Sequence, residues 1–121
     1  MPGPYYRKFG RWGLAAVDDV ILERLILLRN EVDYLRTERD SLRSFQQYVE
    51  SVRLKRAVER SLQVAIEICL DVGRRLISVR GFRYPHDNQD VFRILAEEGV
   101  LPQDLLPTML DMTRFRNLIV Q

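Results

Sequence analysis

The chain has one cysteine, one histidine, two lysines among its nineteen basic residues, and only six glycines and five prolines. The single Cys69 excludes a disulfide framework within the chain and sets the expectation of a reducing, cytoplasmic compartment. With His86 alone there is no zinc-type Cys/His spacing. A phosphate-cradling glycine loop and a nucleophile elbow are missing as well. No apolar run approaches the roughly 20 residues that span a bilayer, so no membrane partner is expected. Arg7, Lys8 and Arg11 are followed by no apolar core of signal-peptide length before Asp18 and Asp19. Glycine and proline gather mostly in the N-terminal tail and in the turns after residue 80, leaving long stretches that favour helices.

What is present suits one soluble globular domain: 121 residues, 46% hydrophobic and 30% charged. The net charge is only +2, yet it is unevenly spread. Residues 17–50 carry five basic and eight acidic side chains, whereas residues 51–81 carry seven basic and three acidic. The basic residues are nearly all arginine, which grips phosphate bidentately and stacks on bases, though solvated helix faces account for such a distribution equally well.

Residues 1–16 read as a flexible aromatic-basic tail, in which Tyr5, Tyr6, Phe9 and Trp12 interleave with Arg7, Lys8 and Arg11. Such a tail binds single-stranded nucleic acid or packs on its own domain. Residues 17–121 form the expected helical domain. Asp18 and Asp19 open a helix in which Val17, Ile21, Leu25, Leu28, Val32 and Leu35 recur at spacings of three and four, to about residue 38. After a break at Asp40-Ser41, a shorter segment carries Leu42, Phe45 and Val49. Residues 51–80 give the clearest helix, with Leu54, Val58, Leu62, Ala65, Cys69, Val72 and Leu76 in one stripe, widened by Ile66, Gly73 and Ile77. Gly81 ends it. Asp87 or Asn88 caps a fourth helix with Val91, Phe92, Leu95 and Ala96 inward, and Pro102 is expected in the first turn of the last helix, with Pro107 absorbed early in it. No strand alternation competes, so the fold class is all-α: an antiparallel four-helix bundle with a short additional helix.

Few residues carry candidate chemistry. His86 reads as a solvated loop residue and Cys69 as a small core residue. Glu67 and Asp71 share a helix face, but lack further ligands in register, so no metal site and no cofactor are expected. Arg116 differs: it is flanked by Leu118, Ile119 and Val120, where a guanidinium either finds a partner or snorkels to solvent, and Asn117 and Gln121 lie one turn apart beside it. Arg53, Lys55, Arg56 and Arg60 form a basic start to the long helix and are candidate RNA contacts.

Ordered blocks of sequence resemble the HepT-like branch of the HEPN proteins over residues 20–121: Arg56 to Glu67 on the long helix, Asp71, the loop with Gly81, Arg83 and Pro85, the run Phe92 to Leu101, and Met112 with Phe115-Arg116-Asn117. The resemblance implies a four-helix bundle with a short extra helix, and homodimers that bring two C-terminal motifs together in a shared cleft. It implies metal-independent endoribonuclease toxins acting on RNA. Their antitoxin would be a minimal nucleotidyltransferase of the MntA type that adenylylates a tyrosine near the motif. The family motif is an arginine, four residues, a histidine, any residue and a tyrosine. Arg116 matches its arginine and Asn117 the polar residue that often follows. Gln121 stands where the histidine belongs, and no tyrosine follows it in the sequence. A glutamine does not exchange protons near neutral pH, so little or no ribonuclease activity is expected, with RNA binding retained. The rival expectation is a non-catalytic helical dimer that binds the nucleotidyltransferase. The apolar edge of Met109, Met112 and Leu118–Val120 is compatible with such a dimer.

Overall fold

The computed structural model describes residues 18–120; the tail of residues 1–16, Val17 of the expected first-helix stripe, and Gln121 lie outside the described residues. Five α-helices follow in order: α1 (Asp19–Ser41), α2 (Phe45–Glu50), α3 (Val52–Arg80), α4 (Asn88–Glu97) and α5 (Leu106–Val120), with a 3-10 turn at Gln103–Leu105. Among the described residues there is no strand.

Side-chain caps set the helix starts. Asp18, Ser44, Ser51 and Asp87 each accept a hydrogen bond from the backbone N–H three residues on, satisfying a donor that the first turn leaves free. Asp87 rather than Asn88 is therefore the cap of α4. α1 runs to Ser41, through the expected weakening at its end. Gly81 closes α3 at φ +68°, a left-handed conformation that a Cβ disfavours, and Phe82 N–H reaches back to the Ile77 carbonyl. Pro102 does not open the last helix. It precedes the 3-10 turn, and Pro107 is instead the second residue of α5, where a missing N–H costs nothing.

α1 and α3 run antiparallel, tied by Asp18 to Arg75, by Arg24 to Asp71 and by Glu31 to Ser61. α3 and α4 approach most closely at Gly73, where a Cβ would come within 2.6 Å of Val91 Cγ1 and 3.1 Å of Leu95 Cδ1. α5 lies back along α4, with Met109 near Leu95 and Leu101 at one end and Arg116 near Asn88 at the other. The core forms between these elements: Ile66, Leu70 and Ile77 of α3 with Val91, Phe92, Ile94 and Leu95 of α4.

The expected α3 stripe is only part of what is buried. Leu54, Val58, Leu62, Cys69, Val72 and Leu76 are half-buried, while Ile66, Ile68, Leu70, Gly73 and Ile77 are buried. α3 has neighbours on two sides, and its most buried residues face them. α1 packs chiefly on α3 and buries less: Ile21 is covered, but Val20, Leu22, Leu25, Ile26 and Leu27 remain exposed. Met109 and Met112 pack against the core, so of the proposed apolar edge Leu118 and Val120 are the exposed residues.

Candidate functional site

The last helix is seated by its smallest buried residue. Thr113 is fully buried, and its hydroxyl donates to the Met109 carbonyl one turn back at 2.8 Å, so the close packing leaves no polar atom unsatisfied. The 3-10 turn before α5 is fixed to the end of α4 by Gln103 Nε2, which donates to the Ala96 carbonyl at 3.0 Å. Three residues beyond Thr113, on the same helical face, Arg116 projects against α3.

Arg116 lies in a polar cleft of about 220 Å³ lined by Glu67, Leu70, Asp71, Arg74, Asn88 and Arg116 itself. Its Nη2 is 3.6 Å from Glu67 Oε2, and its Nη1 donates to the Asn117 side-chain oxygen at 3.3 Å. Its Nε is buried with no acceptor among the described residues. A buried donor left unpaired costs on the order of 1–3 kcal/mol. Glu67 is steadied by Gln63 Nε2 at 3.1 Å. Asp71 is 3.9 Å from Arg24 of α1, and Arg74 donates to the Asn88 side-chain oxygen. The cleft thus holds two guanidinium groups and two carboxylates, with Arg24 at its edge. Glu67 and Asp71 meet arginines here, and among the described residues no three acidic, histidine or cysteine side chains gather as a metal site would require.

The sequence-predicted residues fall in different places. Arg116 and Asn117 are together at the cleft, with Asn117 exposed and holding the guanidinium's outer edge. Gln121 lies outside the described residues. Arg53 and Arg56 are exposed and Lys55 half-buried on the first turns of α3, roughly 16–21 Å along the helix from Glu67, so within one chain they do not join the cleft. Sequence reasoning missed Arg74 and Asn88 as companions of Arg116, and it weighed Glu67 and Asp71 as metal ligands or as a polar flank of the core helix, not as partners of Arg116. Their membership depends on where α5 crosses α3, which no local spacing encodes.

A second polar cluster fixes the loop between α3 and α4. Arg83 binds Asp90 through two bonds of 2.8 and 2.9 Å, and Glu97 through two more of 2.9 and 3.1 Å. Asp90 also accepts the His86 backbone N–H at 2.9 Å. The Arg83 hydrogen bonds, then the His86 N–H, hold the nearly buried Asp90 carboxyl far below its usual range. The same guanidinium lowers Glu97, and both carboxylates raise Arg83. His86 itself is exposed. At Cys69, burial pushes the thiol up, which disfavours the reactive thiolate.

Fold and cleft together define a helical-bundle protein that presents an arginine from its last helix beside a second arginine on its longest one. The family follows from the whole sequence: a family model described as "Ribonuclease HepT-like" matches residues 20–121, and the chain belongs to that family. Among solved structures, one chain of a crystal structure described as a toxin–antitoxin with AMP-PNP is similar, with a TM-score of 0.78 and 20% identity over 86% of this chain and 76% of that one. At that identity the likeness concerns the fold. Comparison with curated proteins gives no match. No helix of the described residues is long and apolar enough to cross a membrane.

Proposed function

We propose that the chain is the toxin-type partner of a HepT/MntA-like pair, an RNA-binding bundle whose cleft was built for metal-independent ribonuclease chemistry and which cleaves weakly or not at all. The observation that carries this reading is Arg116: a family-motif arginine in a polar cleft, with a buried Nε that lacks an acceptor. A guanidinium so placed stabilises negative charge developing on a scissile phosphate. Asn117 orients it. Metal-free cleavage also needs a group to take the 2′-hydroxyl proton and one to protonate the leaving oxygen, and a positioned side chain in such a role contributes about 10²–10⁴-fold. Gln121, at the motif's histidine position, supplies no such group.

The partners in this reading are a second copy of the chain and a nucleotidyltransferase antitoxin. The toxin–antitoxin description of the similar structure supports an antitoxin partner. A non-catalytic version of the same assembly is favoured by one observation: Leu118 is 73% exposed and Val120 45% exposed beside Arg116, an apolar surface suited to protein contact. RNA binding separates the two. The full chain in EDTA should bind a short single-stranded RNA, and Arg116→Ala should weaken that binding at least ~10-fold by fluorescence anisotropy. Equal affinity in both proteins would sink the RNA reading and leave the protein-binding one.

A further inference from the structure

Two clefts meet at Arg74. One is the polar cleft that holds Arg116; the other, of about 270 Å³, is walled by Ile77, Phe82, Tyr84 and Pro85. Arg74 lines both. The α3 residues along them, from Glu67 through Asp71, Arg74 and Ser78 to Gly81, recur at spacings of three and four. They therefore form one face, and the clefts are one trough about 21 Å long.

The trough changes character along its length. Its Arg116 end is polar. Its far end is largely apolar, and there Tyr84 is 88% exposed, with no hydrogen bond, ion pair or ring contact for its side chain among the described residues. Arg74, at the junction, is exposed and forms no ion pair among the described residues; its partner is the neutral amide of Asn88. Its charge is thus not directly paired among the described residues, although Asp71 lines the same cleft, whereas that of Arg116 is shared loosely with Glu67.

We infer that this trough is a groove for single-stranded RNA, in which Arg74 grips the phosphate next to the one at Arg116 and Tyr84 stacks a base beyond it. The inference rests on the RNA reading of the Arg116 cleft and adds to it a second phosphate contact and a base platform. Cations followed by an aromatic face match a single strand, whose bases are splayed and present their π-faces. A duplex keeps its bases stacked inside and has no face to offer Tyr84. Glu67 and Asp71 hold the trough's net charge low, so stacking carries much of the affinity and few counterions are released.

The test uses the full chain, a fluorescein-labelled oligoadenylate and stepped KCl in EDTA, read by anisotropy. With two phosphates gripped, log affinity should fall with log salt at a slope of about −1.4, and Arg74→Ala should reduce it to about −0.7. Tyr84→Ala should weaken binding ~10-fold or more with the slope unchanged. Tyr84→Phe should restore affinity; Tyr84→Leu, which keeps apolar bulk without a π-face, should not. Affinity for an RNA duplex should be indifferent to Tyr84. If Arg116→Ala loses binding while Arg74→Ala and Tyr84→Ala match the wild type, the trough is refuted and the Arg116 reading stands. If the wild type binds no RNA, both fall.

Discussion

Two arginines of this chain illustrate how surroundings assign a role. Arg83 is heavily engaged: Asp90 and Glu97 take four of its five N–H donors, and Asp90 also holds the His86 backbone. It is a clamp on the loop between α3 and α4. Arg116 is under-satisfied, with one loose carboxylate, one neighbouring amide and a buried Nε lacking an acceptor. In the proposed reading it is a binding group. The clamp has a testable pH signature. Asp90 and Glu97 are held below their ordinary values, so the folded state binds fewer protons than the unfolded chain in acid. Their contribution is present above the ordinary values, 3.8 for the aspartate and 4.5 for the glutamate, and is lost as pH falls through the lower folded values. Urea unfolding of Asp90→Asn should therefore show a flatter acid limb below about pH 4 than the wild type. At neutral pH, Asp90→Ala should cost about 2 kcal/mol through its lost acceptors. An unchanged acid limb in Asp90→Asn would remove the clamp from the account.

α3 is the element on which everything else is placed. One side meets α1, the next meets α4 and α5, and a third stays open as the trough. Its central glycine lets α4 come close: a Cβ at Gly73 would press on the fully buried Val91. Gly73→Ala gains about 1 kcal/mol of helix propensity but overpacks a filled core at about 1–3 kcal/mol. A net loss of about 1 kcal/mol in chemical denaturation is expected, and a stabilised variant would mean that the helices separate freely. Helix number, order and approximate bounds were legible in the sequence because periodicity and capping residues are local signals, as at Asp18, Ser51 and Gly81. Burial along α3 was less legible. The breadth of the stripe implies burial on more than one side, as the structure has it, but Ile68 and Leu70 are buried outside the stripe because α3 has several neighbours. The Pro102 expectation failed for a related reason: two prolines near one helix start compete, and Pro107 took the first turn.

For the molecule as a whole, the bundle and the family were readable from ordered sequence blocks, and the family model over residues 20–121 agrees with them. The make-up of the cleft was not readable, because Glu67, Arg74 and Asn88 meet Arg116 only through the crossing of α5 over α3. The central claim is that the molecule keeps the phosphate-binding half of a ribonuclease site and lacks its proton-transfer half. The most direct measurement is cleavage of labelled single-stranded RNA in EDTA by the wild type, Arg116→Ala, Gln121→His, and the double variant. The wild type should leave RNA intact, Gln121→His should gain cleavage by about 10²-fold or more, and Arg116→Ala should abolish that gain. Cleavage by the wild type that vanishes in Arg116→Ala would contradict the account.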